Sequence, residues 1–202
     1  MNVAVLASGA GTNLQALLDR VHLRDGVEIV AVASDKPDAP ALERARLVGV
    51  PATSFPIGDF PDRPARDLAI ADWLATQGTE LVVLAGYMQL LSDEFLTRFP
   101  DRVINVHPAL LPAFPGLAAV EQALEYGVKV FGVTVHFVDG GVDSGPVILQ
   151  RAIELPEARD AGDVLERLHP IEHELLPEAV RLIASGAVSF DPANARRVVI
   201  ER

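Results

Sequence analysis

Asn105 and His107 stand two residues apart in the segment NVHPALLP (105–112), in apolar surroundings and directly before Pro108. Side chains alternate along a strand, so both point to one face. An amide can hold a developing oxyanion and an imidazole can give or take a proton, which together are the equipment of acyl transfer. Taken alone, the pair reads more readily as a satisfied core histidine beside a strand-end asparagine. The segment DGGVDSGP (139–146) moves the reading toward chemistry, because it places Asp143 in a glycine-rich loop. A carboxylate beside an imidazole favours the protonated ring and fixes its tautomer. His136 is a competing candidate, but inside the run GVTVHFV it reads as structural.

A second constellation is ASGAGTNLQ (7–15), where Gly9 and Gly11 separate a strand pattern from a helix pattern. Glycines let the backbone turn tightly, and the helix N-terminus that follows attracts an anion. The dinucleotide fingerprint needs a third glycine where Leu14 stands. Thr12 and Asn13 suit a terminal phosphate monoester instead, although an ordinary tight turn capped by either residue fits the spacing equally. Asp35, at the end of the second strand pattern, could bind a ribose hydroxyl. Before Lys36 and Pro37 it reads better as a turn residue.

Other chemistries find little support. Of the 5 histidines only His169 and His173 have helical spacing, and HPIEH lacks the H-E-x-x-H pattern, so no metal is predicted. A G-x-S-x-G elbow is absent, which argues against a serine hydrolase.

Positioning these groups requires a scaffold, and the hydrophobic pattern predicts one. Strand-like runs NVAVLAS (2–8), VEIVAVAS (27–34), ELVVLAG (80–86) and DRVINVHP (101–108) alternate with helical patterns at 13–23, 39–50, 66–78 and 119–127. Near-continuous Val/Ile/Leu runs suit strands buried on both faces, and their alternation with helices implies right-handed crossovers in a parallel sheet. The predicted fold class is α/β, a Rossmann-like, mostly parallel sheet with helices on both faces. Beyond residue 128, KVFGVTVHFV (129–138) and PVILQRAIEL (146–155) flank the DGGVDSG turn and predict an antiparallel C-terminal extension. A long helix over about 160–185 follows, and the tail VSFDPANARRVVIER stays unplaced. The 202 residues fit one domain, 1–202, with a nucleotide- or phosphate-binding half over 1–100 and a catalytic half over 101–202.

Half the residues are hydrophobic and 22% are charged, so a sizeable core is expected. The net charge of -11, without any Lys/Arg run, disfavours nucleic acid and anionic membranes as partners. Zero cysteines exclude disulfides and thiolate chemistry. No apolar run approaches the roughly 20 residues that span a bilayer, and the chain starts on a strand pattern, not a signal segment. A cytoplasmic location is expected. Oligomeric state is left open, a homodimer included.

ASGAGTNLQ, LAGYMQLLS (84–92), NVHPALLPAFPG (105–116) and HFVDGGVDSGPVILQ (136–150) together resemble the 10-formyltetrahydrofolate-dependent formyltransferases, and the likeness runs over essentially the whole chain. That resemblance implies transfer of the formyl group of 10-formyltetrahydrofolate, as co-substrate, to the amine of glycinamide ribonucleotide in purine synthesis. It assigns the catalytic roles to Asn105 on the formyl oxygen, His107 as proton donor, and Asp143 as the carboxylate that supports it. By the same resemblance Gly11, Thr12, Asn13, Leu14, Gln15 and Glu172 bind the ribonucleotide. Arg63, Met88, Gln89, Leu90 and Leu91 would bind the folate, together with Asn105, Val138, Asp139, Gly140, Gly141 and Asp143. No metal is implied.

Three positions depart from the family pattern: Ala109 where Ser is usual, Ala118 where His is frequent, and His169 where Gln is frequent. The last two bear on ribonucleotide affinity and on hydrogen bonding at the site. Alternatives are a 10-formyltetrahydrofolate hydrolase, which normally adds an N-terminal regulatory domain, and a formyltransferase for another amine acceptor. A methionyl-tRNA formyltransferase would carry a further C-terminal domain. A nucleotide-binding module without catalysis would have no need of Asn105, His107 and Asp143 together.

Overall fold

The computed structural model describes residues 1–201; Arg202, the end of the unplaced tail, lies outside the described residues. The chain divides into two compact units, Met1–Asn105 and Val106–Arg202.

In the first unit the predicted alternation is realised as β1 (Asn2–Leu6), α1 (Thr12–Arg20), β2 (Glu28–Ser34), α2 (Pro40–Leu47), β3 (Ala52–Ser54), α3 (Arg63–Thr76), β4 (Leu81–Leu84), α4 (Asp93–Arg98) and the start of β5 (Val103–His107). The strand order is β3-β2-β1-β4-β5, and every pairing is parallel. Val3, Ala4, Val5 and Leu6 are fully buried, as are Leu81, Val82 and Val83, which is the covering on both faces that parallel strands need. Asp62 caps α3 by accepting from the Ala65 N–H at 2.8 Å, and Ser92 caps α4 through the Phe95 N–H at 3.4 Å. Such caps are each worth about 1 kcal/mol.

The second unit holds α5 (Ala119–Tyr126), β6 (Val130–Phe137), β7 (Val147–Glu154), α6 (Ala161–Ala184), β8 (Val188–Asp191) and β9 (Asn194–Ile200). β6 and β7 pair antiparallel, β9 lies parallel to β7, and β8 and β9 form an antiparallel pair. Along α6, Val164, Leu168, Leu175, Leu176, Ala179 and Val180 are buried at helical spacing, a stripe that seats the helix on its neighbours.

The architecture is α/β, mostly parallel and flanked by helices, with antiparallel strands toward the C-terminus, as the hydrophobic pattern predicts. Several boundaries differ. α1 stops at Arg20, where the predicted helix runs to 23, because Leu23 turns to φ 58° and stands 71% exposed. α2 stops at Leu47 ahead of Gly49, whose φ of 76° breaks the helix. The short elements β3 and α4 are absent from the sequence reading, and the unplaced tail forms the β8–β9 hairpin. Among the described residues no helix is long and apolar enough to cross a membrane.

Candidate active site

β5 ends at His107, before Pro108, which has no N–H with which to continue a ladder. Within this strand Asn105 pairs opposite Leu84 of β4 and is half-buried, while His107 is 5% exposed. The chain after His107 is pinned by Thr134 of β6, whose hydroxyl donates to the Ala109 carbonyl at 2.7 Å and accepts from the Leu111 N–H at 3.1 Å. Gln150 of β7 adds bonds to the Leu111 carbonyl and the Thr134 hydroxyl, at 2.8 and 2.9 Å. Ala109, one of the family departures, is thus held through its backbone and needs no hydroxyl of its own to stay in place.

The structure brings His107 and Asp143 together. Nδ1 of His107 lies 3.4 Å from Oδ2 of Asp143, and that oxygen also accepts from the Gly116 N–H at 2.7 Å. The other ring nitrogen, Nε2, donates to the Phe114 carbonyl at 2.9 Å. His136, which sequence reasoning sets aside as structural, belongs to the same cluster: its Nε2 lies 3.5 Å from Oδ1 of Asp143, and its Nδ1 donates to the Phe137 carbonyl at 2.7 Å. The β6–β7 register shifts between Val135 and His136, and such a bulge re-aims the side chain that sits on it. Asp143 therefore sits between two imidazoles whose remaining nitrogens are each bound to a backbone carbonyl. A proton between either ring and the carboxylate meets acceptors on both sides. Burial pushes the Asp143 carboxyl up, but the His136 hydrogen bond, the Gly116 N–H and the nearby His107 and His136 charges outweigh it and hold the group below the usual carboxylate range.

The loop that presents Asp143 is shaped by its own residues. Asp139 accepts from the Gly141 N–H at 3.1 Å and from the Ser144 hydroxyl at 2.6 Å. At Gly145 a Cβ would stand 1.8 Å from the Phe137 carbonyl oxygen, so only glycine lets the loop close. Asp143 itself adopts φ 48°, a left-handed conformation that Asp tolerates better than most residues. Of the predicted folate residues in this segment, Val138 is half-buried and Gly140 and Gly141 are exposed, while the Asp139 carboxylate is occupied within the loop. Glu172 is buried in α6 at 6% exposure, and His169, one turn before His173, stacks on that ring at 6.2 Å.

In the first unit the glycine loop follows β1 and opens α1. Gly11 is its N-cap at φ 71°, and it offers no side chain to the first-turn N–H groups, which have no partner within a helix. A Cβ at Gly11 would lie 2.8 Å from the Cα and Cβ of Ala41, so glycine is needed here for packing as well as for conformation. The Gln15 N–H donates back to the Gly11 carbonyl at 2.9 Å. Thr12 is exposed; Asn13 and Leu14 are buried.

Ser8, absent from the sequence reading, ties this loop to the segment after β4. Its N–H donates to the Gly86 carbonyl at 3.0 Å, and its hydroxyl accepts from the Met88 N–H at 2.9 Å. Met88 and Leu90 stand 56% and 57% exposed, apolar surface at the same edge of the parallel sheet as the loop. Leu91 is half-buried. Gln89 turns inward and donates to Oδ2 of Asp35 at 3.0 Å, so Asp35 is a buried structural acid more than a simple turn residue. Arg63 stands exposed at the start of α3, and no bond among the described residues ties it to either segment.

Comparison with known proteins follows the same lines. A family model described as Formyl transferase matches residues 1–180. The phosphoribosylglycinamide formyltransferase of Bacillus subtilis (strain 168) is 40% identical over 179 residues, 88% of this chain and 92% of that protein. The trifunctional purine biosynthetic protein adenosine-3 of Drosophila pseudoobscura pseudoobscura is 44% identical over 189 residues, and the match spans 92% of this chain but 14% of that much longer protein. Among solved structures, glycinamide ribonucleotide transformylase 1 from Symbiobacterium toebii superposes with a TM-score of 0.94 at 48% identity, covering 100% of this chain and 94% of that one. Pattern, backbone and sequence agree over the length of the match, and the chain belongs to the formyl transferase family.

Proposed function

We propose that this enzyme transfers the formyl group of 10-formyltetrahydrofolate to the amine of glycinamide ribonucleotide, giving formylglycinamide ribonucleotide and tetrahydrofolate. The observation that carries the chemistry is the Asp143 carboxylate 3.4 Å from the ring of His107, at the end of the strand that also bears Asn105. The substrate assignment rests on the likeness to phosphoribosylglycinamide formyltransferases.

The amine attacks the formyl carbon and forms a new C–N bond; the carbonyl electrons move onto oxygen, where Asn105 donates a hydrogen bond. Collapse of the tetrahedral intermediate restores the carbonyl and breaks the bond to N10 of the folate. The amine loses a proton and N10 gains one; His107 carries it on Nε2, which exchanges its bond to the Phe114 carbonyl for the substrate, while Asp143 holds the charged ring through Nδ1. An oxyanion donor is worth on the order of 3 kcal/mol and a general acid roughly two to four powers of ten in rate, so these groups can supply a large share of the catalysis. The reaction so written uses no metal.

Gly11, Thr12, Asn13, Leu14 and Gln15 form the phosphate end of the ribonucleotide site, with Glu172 a further contact. Arg63, Met88, Gln89, Leu90, Leu91 and the loop Val138, Asp139, Gly140, Gly141 and Asp143 serve the folate. The same reading sets small molecules as its ligands and the cytoplasm as its location.

The test is an acceptor-dependent assay: loss of 10-formyltetrahydrofolate is followed with glycinamide ribonucleotide, with other primary amines, and with none. Turnover that requires the ribonucleotide is expected. Equal consumption without any amine would make the protein a hydrolase, and preference for another amine would reassign the acceptor.

A further inference from the structure

Arg44, on α2, reaches the glycine loop from a neighbouring element. Its Nε donates to the Ala10 carbonyl at 2.7 Å and its Nη1 to Oε1 of Gln15 at 2.9 Å, so one guanidinium spans the loop from before Gly11 to the first turn of α1. The approach is close, since a Cβ at Gly11 would come within 3.3 Å of the Arg44 Cδ. Gln15 is held at its other end as well, its amide nitrogen donating to Oδ1 of Asp19 at 2.9 Å. The Ala41 N–H donates to the Gly9 carbonyl at 3.2 Å, a second bond from the same helix to the same loop.

The partners of Arg44 are neutral oxygens. Among the described residues no carboxylate lies within ion-pair distance of it, whereas its helix neighbours Glu43 and Arg46 pair with each other. In a chain of net charge -11, a half-buried cation beside the uncapped N-terminus of α1 raises the local potential where an anion would dock. Arginine suits both tasks, because its planar fork bridges two fixed acceptors and its charge is permanent.

We propose that Arg44 is a positioning residue for the phosphate of the ribonucleotide: it fixes the conformation of the loop 10–15 and supplies charge that no carboxylate within ion-pair distance neutralises. The inference rests on the reading of the glycine loop as the phosphate end of the site. It adds a residue outside that loop whose effect falls on one substrate alone.

The experiment compares wild type, Arg44→Met and Arg44→Lys by steady-state kinetics for both substrates, by inhibition with inorganic phosphate, and by thermal midpoint. Arg44→Met should raise both KM for glycinamide ribonucleotide and the inhibition constant of inorganic phosphate about tenfold or more. Its kcat and its KM for the folate should stay within about twofold, a size easily told from tenfold. Arg44→Lys restores the charge without the two-armed bridge and should recover part of the loss. Added salt should weaken phosphate inhibition more steeply in wild type and Arg44→Lys than in Arg44→Met. An unchanged phosphate inhibition constant in Arg44→Met, or equal changes in KM for both substrates, overturns the proposal. A wild-type protein that shows no response to the ribonucleotide or to inorganic phosphate overturns the underlying reading of the loop instead.

Discussion

In the loop after β1, proposed above as the phosphate end of the site, backbone N–H groups stand beside the short side chains of Thr12 and Asn13, and glycine conformation and packing hold them in place. Around Asp143 the groups are side chains: two imidazoles and a carboxylate, each oriented by hydrogen bonds to backbone carbonyls or N–H groups. A site made of backbone tolerates little change in its own residues, because each alters the fold before it alters recognition. A site made of side chains can be edited atom by atom with the scaffold intact. On the proposed reading, binding and chemistry should thus carry different mutational signatures.

The largest expected effect tests the side-chain half of that contrast. His107→Asn should lower kcat by roughly two to four powers of ten. The thermal midpoint should fall as well, because Asn is too short to hold both the Phe114 carbonyl and the Asp143 carboxylate that the buried ring meets, so kcat is compared at a temperature where both proteins are folded. A fall in rate of less than about tenfold would take general acid–base work away from His107.

Gly11→Ala tests the backbone half. A left-handed non-glycine residue costs about 1–2 kcal/mol, and here the added Cβ also meets Ala41 at 2.8 Å. The expected result is a lower denaturant midpoint together with a raised KM for the phosphorylated substrate. An unchanged midpoint with weakened binding would show that the loop absorbs a side chain and would blur the distinction between the two regions.

The smallest effect concerns Asp143. Its native carboxyl is held below the usual range, so the folded protein binds that proton less readily than the unfolded chain. The stability it contributes is present in full above the unfolded value near pH 4 and is lost as pH falls through the native one. Asp143→Asn removes this dependence. Between about pH 5 and about pH 3 the wild-type midpoint should fall faster than the variant's. Parallel curves would mean that the two imidazoles and the Gly116 N–H do not favour the charged carboxylate.

Much of this was legible in the sequence because it is written in local periodicity. The runs at β1, β2, β4 and β5 are continuous enough to mark buried parallel strands, and the turn-rich segment between β6 and β7 marks an antiparallel pair. β3 has three residues and α4 six, too few for a period to emerge. Among the candidate site residues, Asn105 and His107 draw attention by type and spacing only once Asp143 in its glycine-rich loop and the family resemblance are set beside them. His136 does not, because it sits in an apolar run and gains its position from a bulge that only the partner strand reveals. Ser8, Arg44, Thr134 and Gln150 act through partners far along the chain, and nothing adjacent to them marks that work. One signal for Arg44 was within reach: it is a basic residue in the helix that follows the strand beside the glycine loop.

Asp139 has a consequence for how a ligand meets the loop that carries Asp143. Because its carboxylate already closes the loop through Gly141 and Ser144, the turn holds a defined shape before anything docks. If the folate docks there as proposed, it should order little and forfeit little chain entropy, so that affinity at this wall would come from contacts and not from induced folding. Calorimetry would register that as a small entropic penalty on association.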